Sequence, residues 1–152
     1  MSVITVAAVR SISAPASTVY QILSDYHEGH PSILPDAFTR LEVLEGGLGA
    51  GTRIEFDLKL AGRVNTTVAD VDEPEPGRVL REVETERGLI TEFTVDPTAE
   101  DRCAVEIRTT WEGRGVMGLI ERMFAPRMLK PLYDQQLENL ETQARHRLRS
   151  DG

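Results

Sequence analysis

The chain changes its hydrophobic period for the last time near Val116, and that change constrains the fold more than any other feature. Upstream, apolar residues recur at every second position in short runs. Downstream, they recur every third or fourth position in one long run. The clearest short run is "TRIEFDLKL" (52–60), with Ile54, Phe56, Leu58 and Leu60 on one face and Arg53, Glu55, Asp57 and Lys59 on the other. A strand of that pattern is dry on one side and wet on the other, as in an antiparallel sheet. Residues 3–12 alternate in the same way, with Ile4, Val6, Ala8 and Ile12 in phase and Arg10 interrupting them. Further strands are predicted at 37–45, 63–71, 78–86, 89–96 and 103–111, seven in all. Ala61-Gly62, "DEPEPG" (72–77), Arg87-Gly88 and "DPTAEDR" (96–102) are the turn signals between them.

Two helical regions interrupt or follow the strands. In "SAPASTVYQILSDY" (13–26), Val19, Ile22, Leu23 and Tyr26 follow helical spacing, Pro15 suits a first turn and Ser13 is a candidate cap. Gly29, Pro31 and Pro35 end that helix, and a second short helical turn is expected at 31–35. In the tail, Leu129, Leu132, Tyr133, Leu137, Leu140, Ala144 and Leu148 share one face. Pro126 and Pro131 should end, kink or restart the helix, so its main body is expected over 128–147.

A sheet with one apolar face and a helix with one apolar stripe bury each other, which predicts an α+β domain. Nothing divides the chain, and residues 1–152 are expected to form one domain. If the sheet curves round the helix, the space between them becomes a cavity.

The element order, "SAPASTVYQILSDYHEGHPSILPDAF", the glycine-rich turn at 46–51 and the tail "LKPLYDQQLENLETQA" resemble the START-like (SRPBCC) superfamily. Within it, the chain is most similar to the polyketide cyclase/dehydrase and coenzyme Q-binding branch. The resemblance spans nearly the whole chain. It implies a helix-grip fold, a curved seven-stranded antiparallel sheet around a long C-terminal helix, with two short helices after the first strand. It also implies that the turn at 46–51 sits near a pocket. Members bind lipids, hormones, quinones or polyketides between sheet and helix; some cyclise or aromatise there, and many only bind. Fold does not choose between these.

Charge and cysteine content narrow the partners. Twenty-five acidic residues against seventeen Lys and Arg give a net charge of −8, which argues against nucleic acid and against an anionic membrane surface. No segment has the length and apolarity needed for membrane insertion. Cys103 lies in the alternating run "CAVEIRTTW" and is expected to be a small buried hydrophobe. With one cysteine and no export signal, a cytoplasmic protein is expected.

"SDYHEGHPSILPDAF" (24–38) holds two histidines three positions apart, split by Gly29. A zincin helix needs them four apart on continuous helix, so no metal site is assigned. Tyr26 and His30 are instead expected to wall a pocket. "EGGLGAGTR" (45–53) lacks the lysine and following helix of a phosphate loop and is expected to be a hairpin turn or lip. No cofactor is expected.

The candidate apolar lining is Phe38, Phe56, Phe93 and Trp111 from the strands, with Met117, Met123, Phe124 and Tyr133 from the tail. Arg81, in phase with Val79 and Val83, is a candidate to meet a ligand, and Asp70 to hold it, unless a bulge turns them to water. Thr91 and Thr109 are in phase with Phe93 and Trp111. Glu73 and Glu75 are expected in a solvated turn. No nucleophile–base–acid set appears, so no catalytic residue is assigned. Three functions stay open: binding of a small hydrophobic or amphipathic ligand, a polyketide cyclase or aromatase in the same cavity, and a protein-interaction module such as a homodimer.

Overall fold

The computed structural model describes residues 2–151. Its elements run β1 (Ser2–Ile12), α1 (Ala16–Ser24), α2 (Gly29–Ile33), β2 (Phe38–Glu45), β3 (Arg53–Leu60), β4 (Arg63–Glu75), β5 (Val79–Glu84), β6 (Ile90–Ala99), β7 (Arg102–Gly113) and α3 (Gly115–Asp151). The seven strands form one antiparallel sheet in the order β1-β7-β6-β5-β4-β3-β2. It curves round α3, the expected helix-grip arrangement. Bulges in β2, β4 and β6 help the sheet bend.

The outermost pair of strands, β1 and β7, buries the parity its sequence advertised. Ile4, Val6, Ala8 and Ile12 are buried on β1; Cys103, Val105, Ile107, Thr109 and Trp111 are buried on β7. Arg10 keeps its place in β1 because its guanidinium reaches Glu141 on α3 at 2.9 Å. The other oxygen of Glu141 accepts the Ser13 backbone N–H at 3.0 Å. Ser13 is therefore tied to α3 rather than capping α1, which starts after Pro15 with no side-chain cap. Burial pushes the Cys103 thiol up to about 11, with the Glu141 charge adding to it, so the residue is the inert hydrophobe expected.

Three boundaries differ from expectation. The short second helix is Gly29–Ile33, not 31–35. β4 continues to Glu75, through the region expected to be turn. Glu73 is not simply solvated: it accepts Tyr20 Oη at 2.6 Å and the Ala50 N–H at 2.8 Å. Most consequentially, α3 begins at Gly115 and runs through both prolines. Pro126 and Pro131 deprive the carbonyls of Arg122 and Arg127 of their helical partners, but both those residues are exposed, so water can serve instead. The helix start lies close against the end of β7: a Cβ on Gly118 would stand 2.6 Å from the Gly113 carbonyl carbon. Only glycine allows that approach.

Candidate functional site

The inner face of the sheet and the facing side of α3 enclose a cavity of about 450 Å³. That is within the range of small-molecule sites, roughly 300–1,000 Å³. Its walls are apolar: Phe38, Leu41, Phe56 and Leu58 from β2 and β3, Phe93 and Ile107 from β6 and β7, Ala125 and Leu129 from α3.

The polar groups gather on the floor. After α1 the chain turns at Gly29, where a Cβ would collide with the Ile22 backbone, and this tight turn brings His30 under the sheet. His30 is 2% exposed, stacks on Tyr26 at 4.4 Å and meets Phe93 edge-on at 5.3 Å. Its Nδ1 lies 2.8 Å from the Leu23 carbonyl oxygen. A carbonyl only accepts, so Nδ1 carries a proton, and Nε2 is the ring nitrogen turned toward Glu82. That Nε2 stands 3.6 Å from Glu82 Oε2, too long for a hydrogen bond. Tyr26 Oη donates to the same carboxylate oxygen at 2.6 Å. Burial, then the Glu82 charge and hydrogen bond, hold the Tyr26 phenol well above its ordinary range, so it stays a donor. His30 and Glu82 both line the cavity.

A second polar group lies across the cavity. Thr91 and Thr109 share a hydrogen bond at 2.8 Å, and Thr109 bonds in turn to Tyr133 Oη on α3. Burial raises the Tyr133 phenol, outweighing the bond from Thr109. Gln136, one turn along, is 3% exposed, lines the cavity and has no side-chain hydrogen bond among the described residues.

At one end of the cavity, Trp111 Nε1 donates to Glu121 Oε2 at 2.8 Å, and Arg87 from the β5–β6 turn pairs with the same carboxylate at 3.1 Å. These three separate the cavity from an outer cleft that also touches Met117.

The sequence candidates divide accordingly. The cavity gathers His30, Phe38, Phe56, Phe93, Trp111 and Tyr133, with Tyr26 stacked directly behind His30. Arg81 is not in it. Leu80 pairs across from Phe93 and is fully buried, so the inward parity of β5 is Leu80, Glu82 and Glu84, and the two valines in phase with Arg81 lie on the outer face. There Arg81 pairs with Asp72 at 2.7 Å, and Asp70 pairs with Arg53 at 2.8 Å. No bulge is needed to explain it. Met117, Met123 and Phe124 do not line the cavity either; they are 63%, 66% and 48% exposed. α3 turns Gly118, Glu121 and Ala125 inward at helical spacing, which leaves those three on the outward side. The turn at 46–51 contributes nothing to the lining. It packs on α1 instead, with Tyr26 N–H donating to the Gly47 carbonyl at 2.8 Å and Gly49 N–H to Ser24 at 2.9 Å. His27 is exposed beside that turn, well separated in role from His30.

Glu82 and Gln136 escaped the sequence reading. Hairpin register was the available signal for Glu82: once Leu80 is set opposite Phe93, Glu82 must face in. Gln136 had only its helical spacing from Tyr133 and Leu140.

A family model described as polyketide cyclase / dehydrase and lipid transport matches residues 3–145. The chain belongs to that family. Among solved structures, the KanY protein is 33% identical over 95% of this chain and 99% of its own, with a TM-score of 0.82. The Zhui aromatase/cyclase from Streptomyces sp. R1128 is 20% identical, covers 99% of both chains and has a TM-score of 0.80. A START superfamily protein from Mycobacterium smegmatis is 16% identical over 93% of this chain and 97% of its own, at 0.73. The last two likenesses are of fold alone. No curated protein matches the chain. For a polyketide cyclase/dehydrase and lipid transport family member, the sheet–helix cavity is the candidate functional site.

Proposed function

We propose that the protein binds a small hydrophobic or amphipathic molecule, of lipid, quinone or polyketide type, in the cavity under α3. One observation carries this reading: an apolar-walled cavity whose floor presents the Glu82 carboxylate and the His30 ring side by side. Phe38, Phe56, Phe93 and Trp111 supply apolar contact, worth about 25 cal/mol per Å² buried before ordering costs. Glu82 selects a ligand end that donates hydrogen bonds, such as a hydroxyl or phenol, and disfavours a carboxylate or phosphate there. Tyr26 holds both groups in position. Tyr133 and Gln136 are the further polar contacts. A cytoplasmic setting goes with this reading, supported by the single cysteine.

Native mass spectrometry of the freshly purified protein, followed by solvent extraction, tests it. The expected result is a retained hydrophobic molecule bearing a hydroxyl or phenol. Glu82→Gln keeps an acceptor for Tyr26 but removes the charge, and should weaken retention roughly tenfold. An empty protein, with no thermal shift across lipids, quinones and polyketides, would sink the reading.

A second reading, a cyclase or aromatase, is favoured by the orientation of His30. Its Nδ1–H is fixed on Leu23, and in the neutral ring Nε2 is a base beside a carboxylate that can take up the proton. There the cavity would fold a flexible poly-ketone chain and His30 would remove a proton from an activated carbon. Loss of water from such a chain, followed by mass and abolished in His30→Gln, separates catalysis from carriage.

A further inference from the structure

The first turns of α3 carry an apolar face that nothing in the described molecule covers. Val116, Met117, Leu119, Ile120, Met123 and Phe124 are between 43% and 73% exposed. They repeat at helical spacing on the side opposite Gly118, Glu121 and Ala125, which face the sheet. Isolated exposed apolar residues need no explanation, but a contiguous stripe on one helix face marks a contact surface.

The charge around the stripe is the reverse of the rest of the chain. Arg114, Arg122, Arg127 and Lys130 are all exposed and frame it, against one carboxylate, Glu121, which Arg87 and Trp111 already hold. Arg114 and Lys130 each have a neighbouring carboxylate, Glu112 at 3.7 Å and Asp134 at 3.0 Å; Arg122 reaches the Val3 carbonyl, and Arg127 has no ion pair among the described residues. The net charge of −8, expected to keep the protein off an anionic surface, is thus not evenly spread. Acidic groups elsewhere are screened beyond about 8–10 Å in physiological salt, so the local sign decides.

We propose that residues 114–130 of α3 dock the protein peripherally on an anionic lipid bilayer. The apolar stripe enters the acyl boundary and the four cations meet the headgroups. A second copy fits less well, because two-fold pairing through this face would set the cationic frame against itself. Ala125, Met128 and Leu129 of the same turns line the cavity from the other side of the helix, so the docking face and the cavity share one element. The docking goes beyond the cavity reading and does not depend on what the cavity holds.

Co-sedimentation of the full chain with phosphatidylcholine vesicles, with and without phosphatidylglycerol, tests it. Binding is expected only with phosphatidylglycerol, and should be released by high salt. Arg122→Glu with Arg127→Glu should weaken it roughly tenfold or more. Ile120→Glu with Met123→Glu should abolish it. All four positions are exposed, so melting temperatures should stay at the wild-type value; if the apolar pair melts early, the charge pair and the salt series still decide. Absence of binding at low salt overturns the proposal, as does equal binding by wild type and the charge pair. A concentration-dependent dimer that Met123→Glu dissociates would assign the face to a second copy and equally overturn it.

Discussion

Tyr26 and Glu82 illustrate how unequal two ends of one hydrogen bond can be. Tyr26 is 1% exposed, and its hydroxyl has Glu82 as its only partner among the described residues. Glu82 also borders the cavity, where water can reach it. Tyr26→Phe removes the donor and leaves a carboxylate that can be solvated, so it should cost about 0.5–1.5 kcal/mol. Glu82→Leu strands a buried hydroxyl and should cost more, roughly 1–3 kcal/mol. Urea unfolding of the two variants checks the order; equal losses would mean Glu82 is not the partner that matters. His30 was legible as a pocket residue, though Tyr26 lies behind it, because a helix end, Gly29 and Pro31 bring the chain under the sheet. Glu82 was not, since "VLREVE" offers two parities and the valines point to the wrong one. Periodicity says which residues share a face; only cross-strand pairing says which face is inside.

At the scale of elements, one carboxylate joins three of them. Glu141 on α3 holds Arg10 of β1 and the Ser13 amide that leads into α1. Burial alone would raise its carboxyl, but the Ser13 N–H and the Arg10 guanidinium outweigh it, and the group is held below the ordinary carboxylate range. A depressed folded value contributes stability that is present above the unfolded value, about 4.3, and is lost as pH falls through the folded one. Glu141→Gln should therefore cost roughly 1–2 kcal/mol at neutral pH, the lower figure reflecting the half-exposed Arg10. The gap between wild type and variant should close below about pH 4. Denaturant midpoints measured across that range test the sign, and a constant gap would refute it. Six of the seven strands were legible to within three residues, because half-buried strands must alternate; β4 ran four residues further than expected. The start of α3 was not. Prolines at 126 and 131 argue for a break, and their tolerance rests on the exposure of the carbonyls they orphan, which no local pattern reports.

For the whole molecule, one ion-pair cluster between distant parts of the chain stands between the cavity and the outer cleft. Glu121 at the front of α3 receives Trp111 from β7 and Arg87 from the β5–β6 turn. That turn is itself pinned by Glu84, whose carboxylate accepts the N–H groups of Glu86, Arg87 and Gly88. Glu121→Ala should free both partners on the cleft side while leaving the floor intact. If ligands enter from that side, a bound hydrophobic fluorophore is expected to leave the variant several-fold faster, with affinity changed less than the rate; stopped-flow displacement reads both. An unchanged rate would move the entrance elsewhere.

The sheet order also fixes a timetable for the growing chain. β1 is made first, yet its strand partner is β7, which starts at Arg102, and the helix that receives its side chains follows later still. Until most of the polypeptide has been synthesised, the run "SVITVAAVRSI" has neither a neighbour for its backbone nor a cover for its apolar side. Such a segment is prone to stick to other nascent chains. Arg10, awkward in a strand that is otherwise mostly apolar, puts a charge in that run during the wait and finds Glu141 only when the last element arrives.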